Sequence, residues 1–169
     1  MRRHGIRQPH FKTTRVAVVA AKTLKSKPVL ILNGPNLNML GSRQPAIYGH
    51  ETLADIERAC RAEAKRLGLS AECKQSNIEG ELVGWIHKAR KANSAIIINA
   101  GAYSHSSIAI FDALVVAELP TIEVHLSNIY ARERFRHHSY ISAAAKGVIC
   151  GLGSQGYLLA LAALKKLIG

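Results

Sequence analysis

A chain of 169 residues with 48% apolar and 20% charged side chains has the size and balance of one globular domain with a sizeable core. The formal net charge of +12 is that of a nucleic-acid binder, but it is local: residues 1–27 hold eight Lys or Arg and no Asp or Glu, while 28–169 hold fifteen basic and eleven acidic residues, a net of +4. A mildly cationic domain argues against a nucleic-acid partner and favours a small anionic ligand.

Residues 1–28 therefore read as a disordered basic extension and 29–169 as the folded domain. The longest apolar run near the start, Val16 to Ala21, is shorter than the roughly 7–15 residues of a signal-peptide core and the roughly 20 of a membrane span. The expectation is a cytoplasmic chain with no membrane partner. Cys60, Cys73 and Cys150 form no C-x-x-C pair, which argues against a disulfide framework and a zinc site.

In chain order, Val29 to Leu32 is an apolar run too short for a helix and reads as a buried strand. Asn33-Gly34-Pro35-Asn36 ends it in turn chemistry. A long loop follows, carrying Arg43 and Tyr48. Such a loop is a lid, a binding loop or a disordered segment. A guanidinium beside a phenol can hold a phenolate base; the rival is a packed tyrosine with a solvated arginine.

Thr52-Leu-Ala-Asp55 resembles a capping box. Leu53, Ile56, Cys60, Ala64 and Leu67 then recur on one helical face, and Gly68 is a natural C-terminal cap. Cys60 lies in that stripe and reads as core. A strand over Ser70–Gln75 leads to Ser76-Asn-Ile-Glu79, a second expected capping box, and to a helix with Leu82, Ile86 and Ala89 inward. Ala95 to Ile98 is a third strand, ending at Asn99-Ala-Gly101. The helix over Ser106–Glu118 bears Ile108, Phe111, Leu114 and Val115, more apolar surface than one flank against a sheet needs. A fourth strand spans Thr121–Leu126, and Ser127–Lys146 is a polar, basic connection with a helical turn or two. Val148–Cys150 is the fifth strand and Tyr157–Ile168 the last helix.

This alternation predicts a single α/β domain, a flavodoxin-like doubly wound five-stranded parallel sheet. In such sheets the ligand sits beyond the carboxyl ends of the strands. Those ends offer Asn33 and Asn36, then Asn99, then His125 and Ser127, with Gly151 last.

Glu123 and His125 are two apart on a strand and so share a face. A carboxylate there fixes the imidazole tautomer and suits a general acid. His105, among hydroxyls in GAYSHSS, could bind a substrate hydroxyl or merely cap the following helix. Arg132 and Arg136, four apart, would share one side of a short helix and suit a carboxylate or enolate, with Glu133 and Arg134 on a solvated face. Clustered carboxylates for a hard cation are missing from the strand ends, so no metal is expected. Gly151-Leu-Gly153-Ser-Gln-Gly156 matches G-x-G-x-x-G, but the thirteen residues after it include no acid, so it reads as a tight turn with close helix packing.

NGPNLN, the R-x-x-x-x-YG loop, QSNIEGELVGWIH, INAGAYSHSSIAIFDAL, IEVHLSNIYARERFRHHSY and GVICGLGSQGY together resemble type II 3-dehydroquinate dehydratase, from about residue 29 to 168. The resemblance implies dehydration of 3-dehydroquinate to 3-dehydroshikimate in the shikimate pathway. It also implies a flavodoxin-like fold, no cofactor, no metal, no Schiff base, and a homododecamer of four trimers. By position, Tyr48 resembles the base, His125 the acid, Arg43 the group that activates the tyrosine, and Asn36 the asparagine that holds a water near the enolate. Asn99, His105, Leu126, Ser127 and Arg136 match substrate-binding positions, and Glu123 matches the partner of the catalytic histidine. Asp112 matches a residue contributed across the trimer interface, and Arg132 resembles a lid contact. Ala100, Phe111 and Tyr130 depart from the residues frequent in that family, at none of the matched catalytic positions.

Overall fold

Three fully buried strands form the centre of the sheet: Val29–Asn33 (β1), Ala95–Asn99 (β3) and Thr121–His125 (β4). Strands covered on both faces need no polar alternation, which is why Val29–Leu32 and Ala95–Ile98 read as continuous apolar runs, whereas β4 alternates and buries Thr121, Glu123 and His125 along with Ile122 and Val124. The chain is represented by a computed structural model that describes residues 27–42 and 51–169. The expected extension, apart from Lys27 and Pro28, lies outside the described residues, and so do Arg43 and Tyr48.

Ala71–Gln75 (β2) and Gly147–Cys150 (β5) complete the sheet at its two edges, and neither is fully buried. All pairs are parallel, in the order β2-β1-β3-β4-β5, which is the doubly wound arrangement expected. Leu53–Arg66 (α1) and Gln155–Ile168 (α4) cover one face, packing Ile56, Cys60, Tyr157 and Leu161 on Val29, Ile31, Ile97 and Val124. Glu79–Ala92 (α2) and Ile108–Ala117 (α3) cover the other, with Leu82, Ile86, Ile110 and Leu114 on Leu30, Leu32, Ile96 and Ile98. The period-2 alternation of β1 thus feeds two cores, and each fully buried Leu or Ile contributes about 1.5–3 kcal/mol.

Capping at α1 follows expectation: Thr52 and Asp55 form a reciprocal box, and Gly68 follows the helix at a positive φ of 72°. Two other expectations need correction. No Ser76–Glu79 box forms, because the N-cap of α2 is Ile78 and Glu79 is already its first residue. Glu81 holds the third helical position instead; Ser76 Oγ donates to its carboxylate and accepts from Ile78 N at 2.9 Å. The helix expected from Ser106 starts at Ile108, capped by Ser107, whose Oγ accepts from Ile110 N at 2.9 Å. Residues 101–105 form a separate 3₁₀ turn. Leu114 of α3 belongs to the core, and its outward apolar residues are Ile108, Val115 and Val116. Between β4 and β5 the chain makes three 3₁₀ turns, Ile129–Ala131, Arg134–Arg136 and Ile141–Ala143.

Candidate active site

The sheet order reverses direction between β1 and β3, so the chains leaving them diverge and open a crevice. Its floor is tight. Gly34 N donates to Asn99 O at 2.8 Å, and a Cβ on Gly34 would fall 2.3 Å from the Ala100 carbonyl oxygen, so only glycine fits. Asn36 follows in the left-handed region (φ 65°), which asparagine tolerates. Its N–H donates to Asn77 Oδ1 at 2.9 Å, and Gln75 Nε2 donates to the same oxygen at 3.1 Å.

One pocket at this crevice gathers Asn36, Asn99, His105, His125, Leu126, Ser127, Arg132 and Arg136. Eight of the residues singled out in the sequence therefore meet in space. Glu123 lies behind His125, and Asp112 is exposed on α3, away from this wall.

Glu123 is fully buried, and its Oε1 is 2.8 Å from His125 Nε2. A carboxylate accepts only, so Nε2 carries the hydrogen and Nδ1 is the nitrogen left for the pocket. Ser139 Oγ donates to the same Oε1 at 2.6 Å. The ring of His105 stacks on that of His125 with centroids 6.0 Å apart. His105 Nδ1 donates to His138 O at 2.8 Å, leaving its Nε2 as an acceptor. Burial first, then the nearby His125 and Arg136, pushes His105 below the ordinary histidine value. His105 is thus a neutral acceptor suited to a hydroxyl, and the alternative of a helix cap is excluded because Ser107 fills that role.

Asn99 is fixed at both ends: Oδ1 accepts from Gly101 N at 3.2 Å and Nδ2 donates to Tyr157 OH at 3.0 Å. Tyr157 OH donates in turn to Asn33 Oδ1 at 2.6 Å. Burial pushes the Tyr157 phenol up, so it stays neutral. One Nδ2 hydrogen of Asn99 remains for a ligand.

The arginines reach the pocket by a route other than the one expected. They do not share a helix: Arg132 lies between two 3₁₀ turns and Arg136 ends the second. Glu133 is exposed, as the solvated-face reading expects, and its carboxylate also lies between the two arginines, 3.4 Å from Arg132 Nε and 2.8 Å from Arg136 Nε. Its own backbone N–H and then Arg136 hold its carboxyl below the usual range.

The glycine-rich segment serves the site from behind. Gly151 N donates to His125 O at 3.2 Å and Gly153 N to Leu126 O at 2.9 Å, pinning the end of β4. Gly151 has φ 84°, and a Cβ there would meet Asn128 Cβ at 3.0 Å. A tight turn with close packing, and not a dinucleotide cradle, is what these glycines provide.

Ser139, Tyr157, Asn77 and Gln75 were not foreseen as site residues. Each acts across more than fifteen residues of sequence, Gln75 through a bond from its Nε2 to Gly34 O at 3.2 Å, so no local pattern marks them.

Fold and pocket together define an α/β enzyme-like site at a topological switch point, where two arginines, His105 and a carboxylate-held His125 line one crevice. The chain belongs to the class II dehydroquinase family, whose model matches residues 27–165. It is 57% identical over 145 residues to the 3-dehydroquinate dehydratase of Afipia carboxidovorans, covering 85% of this chain and 96% of that protein. It is 59% identical over 140 residues to 3-dehydroquinate dehydratase 2 of Pseudomonas putida, covering 83% and 94%. The crystal structure of type II dehydroquinase from Propionibacterium acnes aligns with TM-score 0.80 at 50% identity, over 83% of this chain and 97% of that one. Membership makes the chain an enzyme of the hydro-lyase class.

Proposed function

We propose that this chain dehydrates 3-dehydroquinate to 3-dehydroshikimate and water, the shikimate-pathway activity of its family, through an enolate. The reading is carried by His125, held from behind by Glu123, on the wall of a pocket that also holds His105, Arg132 and Arg136. Tyr48 takes the proton beside the ketone, its phenolate favoured by Arg43. Charge then develops on the ketone oxygen, where Asn36 acts through a water. As the enolate collapses, the carbon–oxygen bond to the leaving hydroxyl breaks, and His125, in its imidazolium form with Nε2–H held by Glu123, gives its Nδ1 proton to that hydroxyl as water departs, leaving the ring neutral. Arg136, Asn99 and the turn at Leu126 and Ser127 hold the carboxylate, His105 Nε2 accepts from a hydroxyl, and Arg132 closes on the substrate.

The catalytic domain is residues 29–169, working in the cytoplasm, and no described helix is long and apolar enough to cross a membrane. Assembly is a homododecamer of four trimers in which Asp112 reaches a neighbour's site. The outward Ile108, Val115 and Val116 around Asp112 on α3 support an interface there. Incubation with 3-dehydroquinate tests the activity: the absorbance of a conjugated enone should rise, with one product by NMR. A flat trace at high protein concentration would refute it. Light scattering tests the assembly, and a fully active monomer would refute that part.

A further inference from the structure

The Glu123 carboxylate is held in an asymmetric way. Oε1 accepts both described hydrogen bonds, from His125 Nε2 at 2.8 Å and from Ser139 Oγ at 2.6 Å. Oε2 is buried and has no partner among the described residues. Ser139 is itself buried, and its hydroxyl is aimed by the Ser142 backbone N–H, which donates to Ser139 Oγ at 3.4 Å; the Ser142 hydroxyl bonds only the Ser139 carbonyl oxygen, at 2.7 Å. With a lone pair taken by that N–H, the hydroxyl hydrogen is directed to Glu123.

The flanking residues bind the same wall. His138 O accepts from His105 Nδ1 at 2.8 Å, and Tyr140 N donates to Ser104 O at 2.9 Å. Three successive residues, His138 to Tyr140, thus fasten the surroundings of both pocket histidines.

We propose that Ser139 is a positioning residue for the His125 acid, acting through Glu123; this rests on the reading of His125 given above. The terminal torsion of a glutamate is broad and weakly restrained. With the imidazole as its single described anchor, the carboxylate rotates and carries the Nε2–H bond with it, tilting Nδ1 away from the leaving hydroxyl. Proton transfer is sensitive to such displacement, whereas substrate binding by the arginines is not.

The test is a set of variants with two readouts. Ser139→Ala should lower kcat roughly tenfold or more with KM within about twofold, because the loss falls on the proton-transfer step. Ser139→Thr keeps the hydroxyl and should restore kcat to within about threefold, whereas Ser139→Val, of matching shape, should not. Ser142→Ala disturbs the same turn without removing the bond to Glu123 and should leave kcat within about twofold. The second readout needs no turnover: the downfield proton resonance of the His125 Nε2–H, assigned by its loss in Glu123→Gln, should persist in Ser139→Thr and broaden in Ser139→Ala and Ser139→Val. Wild-type kcat in Ser139→Val, or equal losses in Ser139→Ala and Ser142→Ala, would overturn the proposal. If the wild-type chain does not convert 3-dehydroquinate, the functional reading fails, and the resonance alone decides the role of Ser139.

Discussion

His125 Nε2 lies 2.8 Å from Glu123 Oε1, two residues away on one buried face of β4. The pair fixes which nitrogen carries the hydrogen and which one meets the substrate. Glu123→Gln keeps the shape but removes the charge and can invert the hydrogen bond, presenting an amide N–H to the ring. We expect kcat to fall by roughly a hundredfold or more with the fold intact by circular dichroism. A loss under threefold would show that the carboxylate is structural only.

Tyr48 is the proposed base. Tyr48→Phe removes the proton acceptor and little else, so turnover should vanish while titration calorimetry still detects 3-dehydroquinate binding. Arg43→Ala should also be severe. Rescue by Arg43→Lys to near wild-type rate would remove the specific role given to the guanidinium, whose planar fork an ammonium cannot reproduce.

For His105, burial lowers the folded-state value below the ordinary 6.5. The unfolded chain therefore takes up this proton first as pH falls. The stabilising contribution of neutral His105 is present above about 6.5 and lost as pH drops through the lower folded value. Protonation also removes the Nε2 acceptor, so kcat/KM should decline on the acid side, below 6.5. His105→Phe should lower kcat/KM at neutral pH roughly five- to 150-fold, the worth of about 1–3 kcal/mol of hydrogen bonding. An unchanged kcat/KM would remove His105 from the binding site.

Tyr157→Phe deletes one hydroxyl that bonds both Asn33 and Asn99 at complete burial. Leaving Asn33 Oδ1 and Asn99 Nδ2 without this partner should cost about 1–3 kcal/mol of stability, read as a lower urea midpoint. Because Asn99 also lines the pocket, kcat/KM should fall in the same variant. Wild-type stability would show that the amides find other partners.

Much of this molecule is legible in its sequence, for physical reasons that also mark where legibility ends. Val29–Leu32 and Ala95–Ile98 are buried on both faces and therefore read as unbroken apolar runs. Thr52 and Asp55 cap a helix within four residues, so a local pattern suffices. Ser76 misleads because its hydroxyl reaches Glu81 across a helix start displaced to Glu79. Arg132 and Arg136 converge on the pocket, but through a non-helical path that spacing alone cannot convey. Ser139 bonds a carboxylate sixteen residues away, and Tyr157 joins asparagines from β1 and β3; both depend on tertiary placement. Glu123 and His125 were readable together because strand periodicity puts them on one face.

In the proposed reaction His125 acts as acid only after an enolate has formed. The measurement closest to it is proton NMR of 3-dehydroquinate in D₂O with the His125→Ala variant. Tyr48 should still remove the proton beside the ketone and return deuterium, so that signal should fade while no 3-dehydroshikimate appears. Dehydration by His125→Ala at a rate near wild type would contradict the claim.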